Sequence, residues 1–145
     1  MADRRELDIA RLDQVMPEVD RLLAGYVALG KWSLGQMCNH LATAFRYSAT
    51  ATSPPPEPTP QQTAIRARFF SARFPEGRNA PPGLDPQAGL DDRQEADALR
   101  GAIEKFSSAT GPCAPHPMLG PLTHDEWARF HCMHAEHHLG FIVPK

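Results

Sequence analysis

Long apolar runs are missing from this sequence, which excludes a membrane-spanning helix. An excess of basic charge is missing too. Fifteen Lys and Arg face seventeen Asp and Glu, for a formal charge of −2. Without a basic stripe there is no electrostatic footprint for nucleic acid. Cysteine is scarce: Cys38, Cys113 and Cys132 are odd in number and irregularly spaced. That argues against a disulfide framework and makes a reducing cytoplasm the expected setting. The opening stretch MADRRELDIA carries no hydrophobic segment after Arg4 and Arg5. It reads as neither a signal peptide nor a twin-arginine signal. Also absent are G-x-S-x-G, P-loop and dinucleotide fingerprints, and any convincing strand alternation.

Proline, in contrast, is plentiful and concentrated, at fifteen residues. ATSPPPEPTP, residues 51–60, suits a loop or a polyproline stretch. PEGRNAPPGLDPQAGLDD, residues 75–92, reads as loop again. Between them QQTAIRARFFSARF, from Gln61 to Phe74, suits a short extra helix whose arginines form a solvated face. Residues 51–92 are thus a long Pro-rich crossover within one domain, 1–145, a length that suits a single real core.

Helical periodicity lies on both sides of this crossover. Leu12, Val15, Met16, Val19, Leu22, Leu23 and Tyr26 recur in steps of three and four, predicting a helix over 12–29 that Gly30 ends. With Asp13 as N-cap, Pro17 falls at the end of the first turn, where its missing N–H costs nothing. Ser33 with Gln36 forms a capping box, and Trp32 with Met37 has staple spacing, so a second helix runs from about Leu34 to Ala49. Ala96, Leu99, Ile103 and Phe106 mark a third. Thr123 with Glu126, and Leu122 with Trp127, open a fourth that reaches about Phe141. The predicted fold is all-α, a four-helix bundle with one long crossover.

Four of the seven histidines fall in HCMHAEHHLGF, His131 to Phe141. At about 100° per residue, His138 lies about 20° from His131, Trp127 about 40° and His134 about 60°. These histidines share the face of Trp127 and Phe141, which should meet the core. His137 sits on the shoulder. Buried imidazoles need partners, since each unpaired ring nitrogen costs roughly 1–3 kcal/mol. A divalent metal supplies one by taking lone pairs from neutral rings. His134 and His138, at i and i+4, give a two-point grip. His40, on the flank of the second helix's apolar face, is the best third ligand. His131 and His137 are candidates for an additional ligand or for partners of the ligands. His116 and His124 are expected near solvent. The bland alternative is that these are hydrogen-bonded core histidines.

Known metal patterns do not fit. In His134-Ala135-Glu136-His137-His138 the glutamate stands one place too late for H-E-x-x-H. Ferritin-like sites need repeated Glu-x-x-His pairs, which the chain lacks.

Three motifs, GKWSLGQMCNHLA (30–42), HPMLGPLTHDEW (116–127) and HAEHHLGF (134–141), resemble the DinB/YfiT-like superfamily. The closest resemblance is to its uncharacterised branch, domain-of-unknown-function family 1569. The resemblance implies an up-up-down-down four-helix bundle, often dimeric. It also implies a divalent metal, commonly zinc or nickel, held by three histidines, here His40, His134 and His138. Characterised superfamily members include S-transferases that use mycothiol or bacillithiol, and metal-dependent isomerases and hydrolases.

The leading expectation is therefore a metal-dependent enzyme that activates a low-molecular-weight thiol or water toward a small-molecule substrate. Arg66, Arg68, Arg73 and Arg78 are weak candidates for meeting an anionic thiol. The competing expectations are a non-catalytic module stapled by its metal, and a plain helical homodimerisation domain.

Overall fold

Local capping chemistry sets where the helices begin. The computed structural model describes residues 5–51, 53–72 and 86–145. Helix α1 is Val15–Leu23, preceded by a 3-10 turn at Leu12–Gln14. Pro17 is its third residue, where an N–H would have no intrahelical acceptor. Helix α2, Leu34–Ser48, starts at the expected box: the Gln36 amide donates to Ser33 Oγ, and Gln36 Oε1 accepts from the Ser33 amide. Helix α3, Pro60–Phe70, is the short helix of the crossover. Its Thr59 and Gln62 form a further capping box, with Pro60 at the first helical position. Helix α4 is Asp92–Ser108, capped by Asp91. Helix α5, His124–Leu139, starts at the Thr123 and Glu126 box.

The first helix is shorter than its periodicity predicts, and the chain is mostly helical rather than all-α. After Leu23 the backbone turns at Gly25, whose φ of 149° suits glycine. Tyr26–Ala28 is then an extended strand, β1. It pairs antiparallel with β2, Ile142–Pro144, in the register Tyr26↔Pro144, Val27↔Val143 and Ala28↔Ile142. No helix among the described residues is long and apolar enough to cross a membrane.

Helix α2 packs against α4 and α5, and α1 against both as well. Trp127, Phe45, Phe106, Leu22, Leu34, Leu41, Leu99 and Leu139 fill the interior. Each such side chain contributes about 1.5–3 kcal/mol by leaving water. The start of α2 is pinned by α4. Asp92 Oδ1 accepts from the Gly35 amide at 2.8 Å, and Asp92 Oδ2 accepts from Tyr26 Oη at 2.9 Å. Tyr26 Oη in turn accepts from the Leu34 amide at 3.1 Å. A Cβ on residue 35 would lie 2.9 Å from Asp92 Oδ1, so the approach requires glycine. At the C-terminal end of α5, the Arg5 side chain donates to the carbonyls of Leu139 and Ile142, and the Ile9 amide to Glu136 Oε2. The N-terminal segment thus straps the histidine-bearing end of α5.

Candidate metal centre

His40 projects from the middle of α2, and His134 and His138 from successive turns of α5. His134 Nε2 lies 3.0 Å from His40 Nε2 and 3.0 Å from His138 Nε2. The three rings form a near-equilateral triangle, with centroids 4.6–4.9 Å apart, each pair edge-on. All three ligand atoms lie within 4.8 Å of one another. This is the one such group of His, Cys, Asp or Glu found among the described residues. His134 is buried, while His40 and His138 are half-buried.

A ring nitrogen offers either one N–H or one lone pair. His134 Nε2 faces two other ring nitrogens, so at most one of these contacts can be an ordinary two-centre hydrogen bond. Burial pushes His134 well below the usual histidine pKa, and His138 and His40 add to the effect. The ring is therefore neutral. Metal–imidazole bonds are about 2.0–2.1 Å, so two nitrogens 3.0 Å apart can reach the same ion. The three rings are thus a group that could hold a metal ion.

Aromatic rings flank the triangle. Trp32 stacks on His138 at 5.7 Å and 21°, and tilts onto His40 at 5.1 Å and 53°. Phe130 lies 5.4 Å from His134, and Phe69 of α3 stacks on Phe130. Sequence reasoning placed Trp32 at a helix-start staple and missed its contact with the ligand rings. The signal is its position one residue before the Ser33 cap.

His131 shares the inward face but goes elsewhere. It stacks on Phe45 at 3.8 Å and on Trp127 at 5.2 Å, with Phe106 edge-on. Its Nε2 lies 3.0 Å from Ser48 Oγ. His137 is buried, edge-on to His138 and Phe141.

Neither His116 nor His124 is simply solvent-facing. His116 Nδ1 accepts from the Met118 and Leu119 amides in a tight loop closed by backbone bonds to Gly120. Burial pushes its pKa down to about 4. His124 stacks on Phe106 at 4.2 Å, and its Nε2 lies 2.8 Å from the Phe106 carbonyl.

The cysteines stay protonated. Burial, with Asp92 and Glu95 nearby, pushes Cys38 up to about 12. Burial, with Glu136 and Asp13, pushes Cys132 up to about 11. Of the arginines, Arg66 donates to the Pro121 carbonyl at 2.7 Å and Arg68 is exposed. Arg73 and Arg78 lie outside the described residues.

The family model of DUF1569, a protein of unknown function, matches residues 1–145. The chain belongs to the DUF1569 family. No curated protein and no solved structure matches it. In this DUF1569 protein the histidine triangle joins α2 to α5.

Proposed function

We propose that this protein is a divalent-metal-dependent enzyme of the DinB/YfiT-like type, holding zinc or nickel through His40, His134 and His138. The observation that carries this reading is the convergence of three imidazole nitrogens from α2 and α5, with two 3.0 Å separations. When bound, the cation supplies Lewis-acid chemistry, bringing the pKa of a coordinated water or thiol toward neutrality. The chain supplies three neutral donors, and no carboxylate or thiol joins the group among the described residues. The ion's double charge is then not offset by the protein, which favours an anionic partner such as the thiolate of a low-molecular-weight thiol. Trp32 and Phe130 set aromatic surface against the ligand rings, with Phe69 packed behind Phe130. A small electrophile is the substrate class that suits such a thiolate.

The same reading makes α1, α2, α4 and α5 a four-helix bundle with α3 as the crossover's addition; α2 and α4 start side by side at Gly35 and Asp92 and run on together at Asn39 and Glu95, so this pair is parallel and departs from an up-up-down-down order. It also places the protein in the cytoplasm, where a homodimer is its expected form. Three buried free cysteines support a reducing location. His131 is assigned to packing rather than to the metal, because Ser48 and the stacked aromatics already engage its ring. His137 borders a ligand and is not given a proton-transfer role.

A second reading has its own support: an ion held by these residues would tie α2 to α5, acting as a staple without chemistry. One set of measurements separates the two. Protein purified without a His tag should carry close to one zinc or nickel per chain by elemental analysis. His134→Ala should lose that metal and keep its helical circular dichroism; full occupancy in this variant overturns the ligand set. Metal-loaded protein should consume a thiol together with a small electrophile. Inertness toward both, with a sharp loss of melting temperature on chelation, would replace the enzyme by the staple.

A further inference from the structure

Trp32 lies against this site from outside the helices that carry it. It lies between β1 and the first turn of α2, and its backbone neighbour Ser33 is fixed by the capping box. From there its indole touches two rings of the triangle. It stacks nearly parallel on His138 and leans across His40. These two histidines come from different helices and are the two half-buried members of the group; His134 is held deeper. One side chain therefore touches a histidine of the group from each helix.

We infer that Trp32 is a positioning residue that orients His40 and His138 for a divalent cation and stabilises the loaded site through its π face. This rests on the metal reading above. Two physical effects act together. Three imidazoles must keep their nitrogens about 3.0 Å apart to share an ion, and each ring has alternative rotamers that break this arrangement. The indole restricts those rotamers and leaves less ordering to be done on binding. With an ion, the ligand rings acquire positive charge, and an electron-rich indole face attracts cationic groups. Groups that orient metal ligands from outside change metal affinity by about 10–100-fold when removed.

The test compares Trp32→Phe, Trp32→Leu and Trp32→Ala with the wild type, using Zn(II) and Ni(II) in competition with a chromogenic chelator. Far-ultraviolet circular dichroism and the melting temperature of each metal-free protein are read alongside. Trp32→Phe keeps a ring and should bind within about three-fold of the wild type. Trp32→Leu fills the space without a π face and should bind at least about 10-fold more weakly, as should Trp32→Ala if it folds. Wild-type affinity in Trp32→Leu overturns the π-face role, and equal weakening in Phe and Leu does so too. A wild-type protein that takes up neither ion overturns the metal reading and this inference with it. Normal uptake by the wild type and unchanged uptake in all three variants overturns this inference alone.

Discussion

Ser48 and His131 meet across α2 and α5 with a 3.0 Å contact between Oγ and Nε2, both side chains fully buried. The Ser48 hydroxyl already donates to the Phe45 carbonyl at 2.7 Å. Its oxygen is therefore the acceptor, and His131 donates from Nε2. That fixes the tautomer: Nδ1 carries the lone pair, and it is buried without a hydrogen-bond partner. Ser48→Ala strands the His131 N–H and should cost about 1–3 kcal/mol in chemical denaturation. Adding His131→Phe removes the stranded group while keeping a ring between Phe45 and Trp127, so the double variant should recover most of that loss. Metal stoichiometry should stay unchanged in both.

Acid should unfold the metal-free protein for a related reason. Burial pushes His131 down to about 3 and His116 down to about 4, against an ordinary value of 6.5. Below 6.5 the unfolded chain binds these protons first. Stability is therefore complete above pH 6.5 and falls as the pH drops toward 4 and then 3. The slope for His131 is about 1.4 kcal/mol per pH unit, and less for the more accessible His116. Urea midpoints between pH 7 and 4.5 measure this, and the curve should flatten in His131→Phe.

Chelation should shift thermal stability through the ligand triangle. An ion at 100 times its Kd stabilises the folded state by about 2.7 kcal/mol. Removing it with EDTA should lower the Tm of the wild type. The Tm of His138→Ala should not respond to either metal or chelator, because one corner of the triangle is gone.

Asp92 holds the start of α2 to α4 by accepting from both the Gly35 amide and Tyr26 Oη. Asp92→Ala leaves a helix-terminal amide and a phenol without their acceptor. A loss of about 1–3 kcal/mol is expected in denaturant titrations. Because His40 rides on the same helix, metal affinity should fall as well, whereas an exposed change such as Arg68→Ala should leave it unchanged.

Much of this architecture was legible because its signals are local. Ser33 with Gln36 and Thr123 with Glu126 fix two helix starts within four residues each. Thr59 with Gln62 carries the same signal, hidden among prolines that read as loop. The strands could not be read: each is three residues long, and Tyr26 finds its partner at Pro144. Strand pairing decided the end of α1, against a periodicity that continued to Tyr26. Within the site, helix angles correctly turned His131, His134 and His138 inward. They could not say which of them meets His40, because that depends on how far along α2 each turn of α5 lies. The two helices run antiparallel, so His131 arrives at Ser48 while His134 and His138 arrive at His40.

That antiparallel meeting separates the members of the triangle by 94 positions along the chain, with the whole Pro-rich crossover between them. No fragment that ends before α5 can assemble the triangle, and α2 by itself contributes a single imidazole. During synthesis the grip can close only after the last helix has emerged and docked. Any ion captured there would act as a late cross-link around a very long loop, and its uptake would report that α5 has docked on α2.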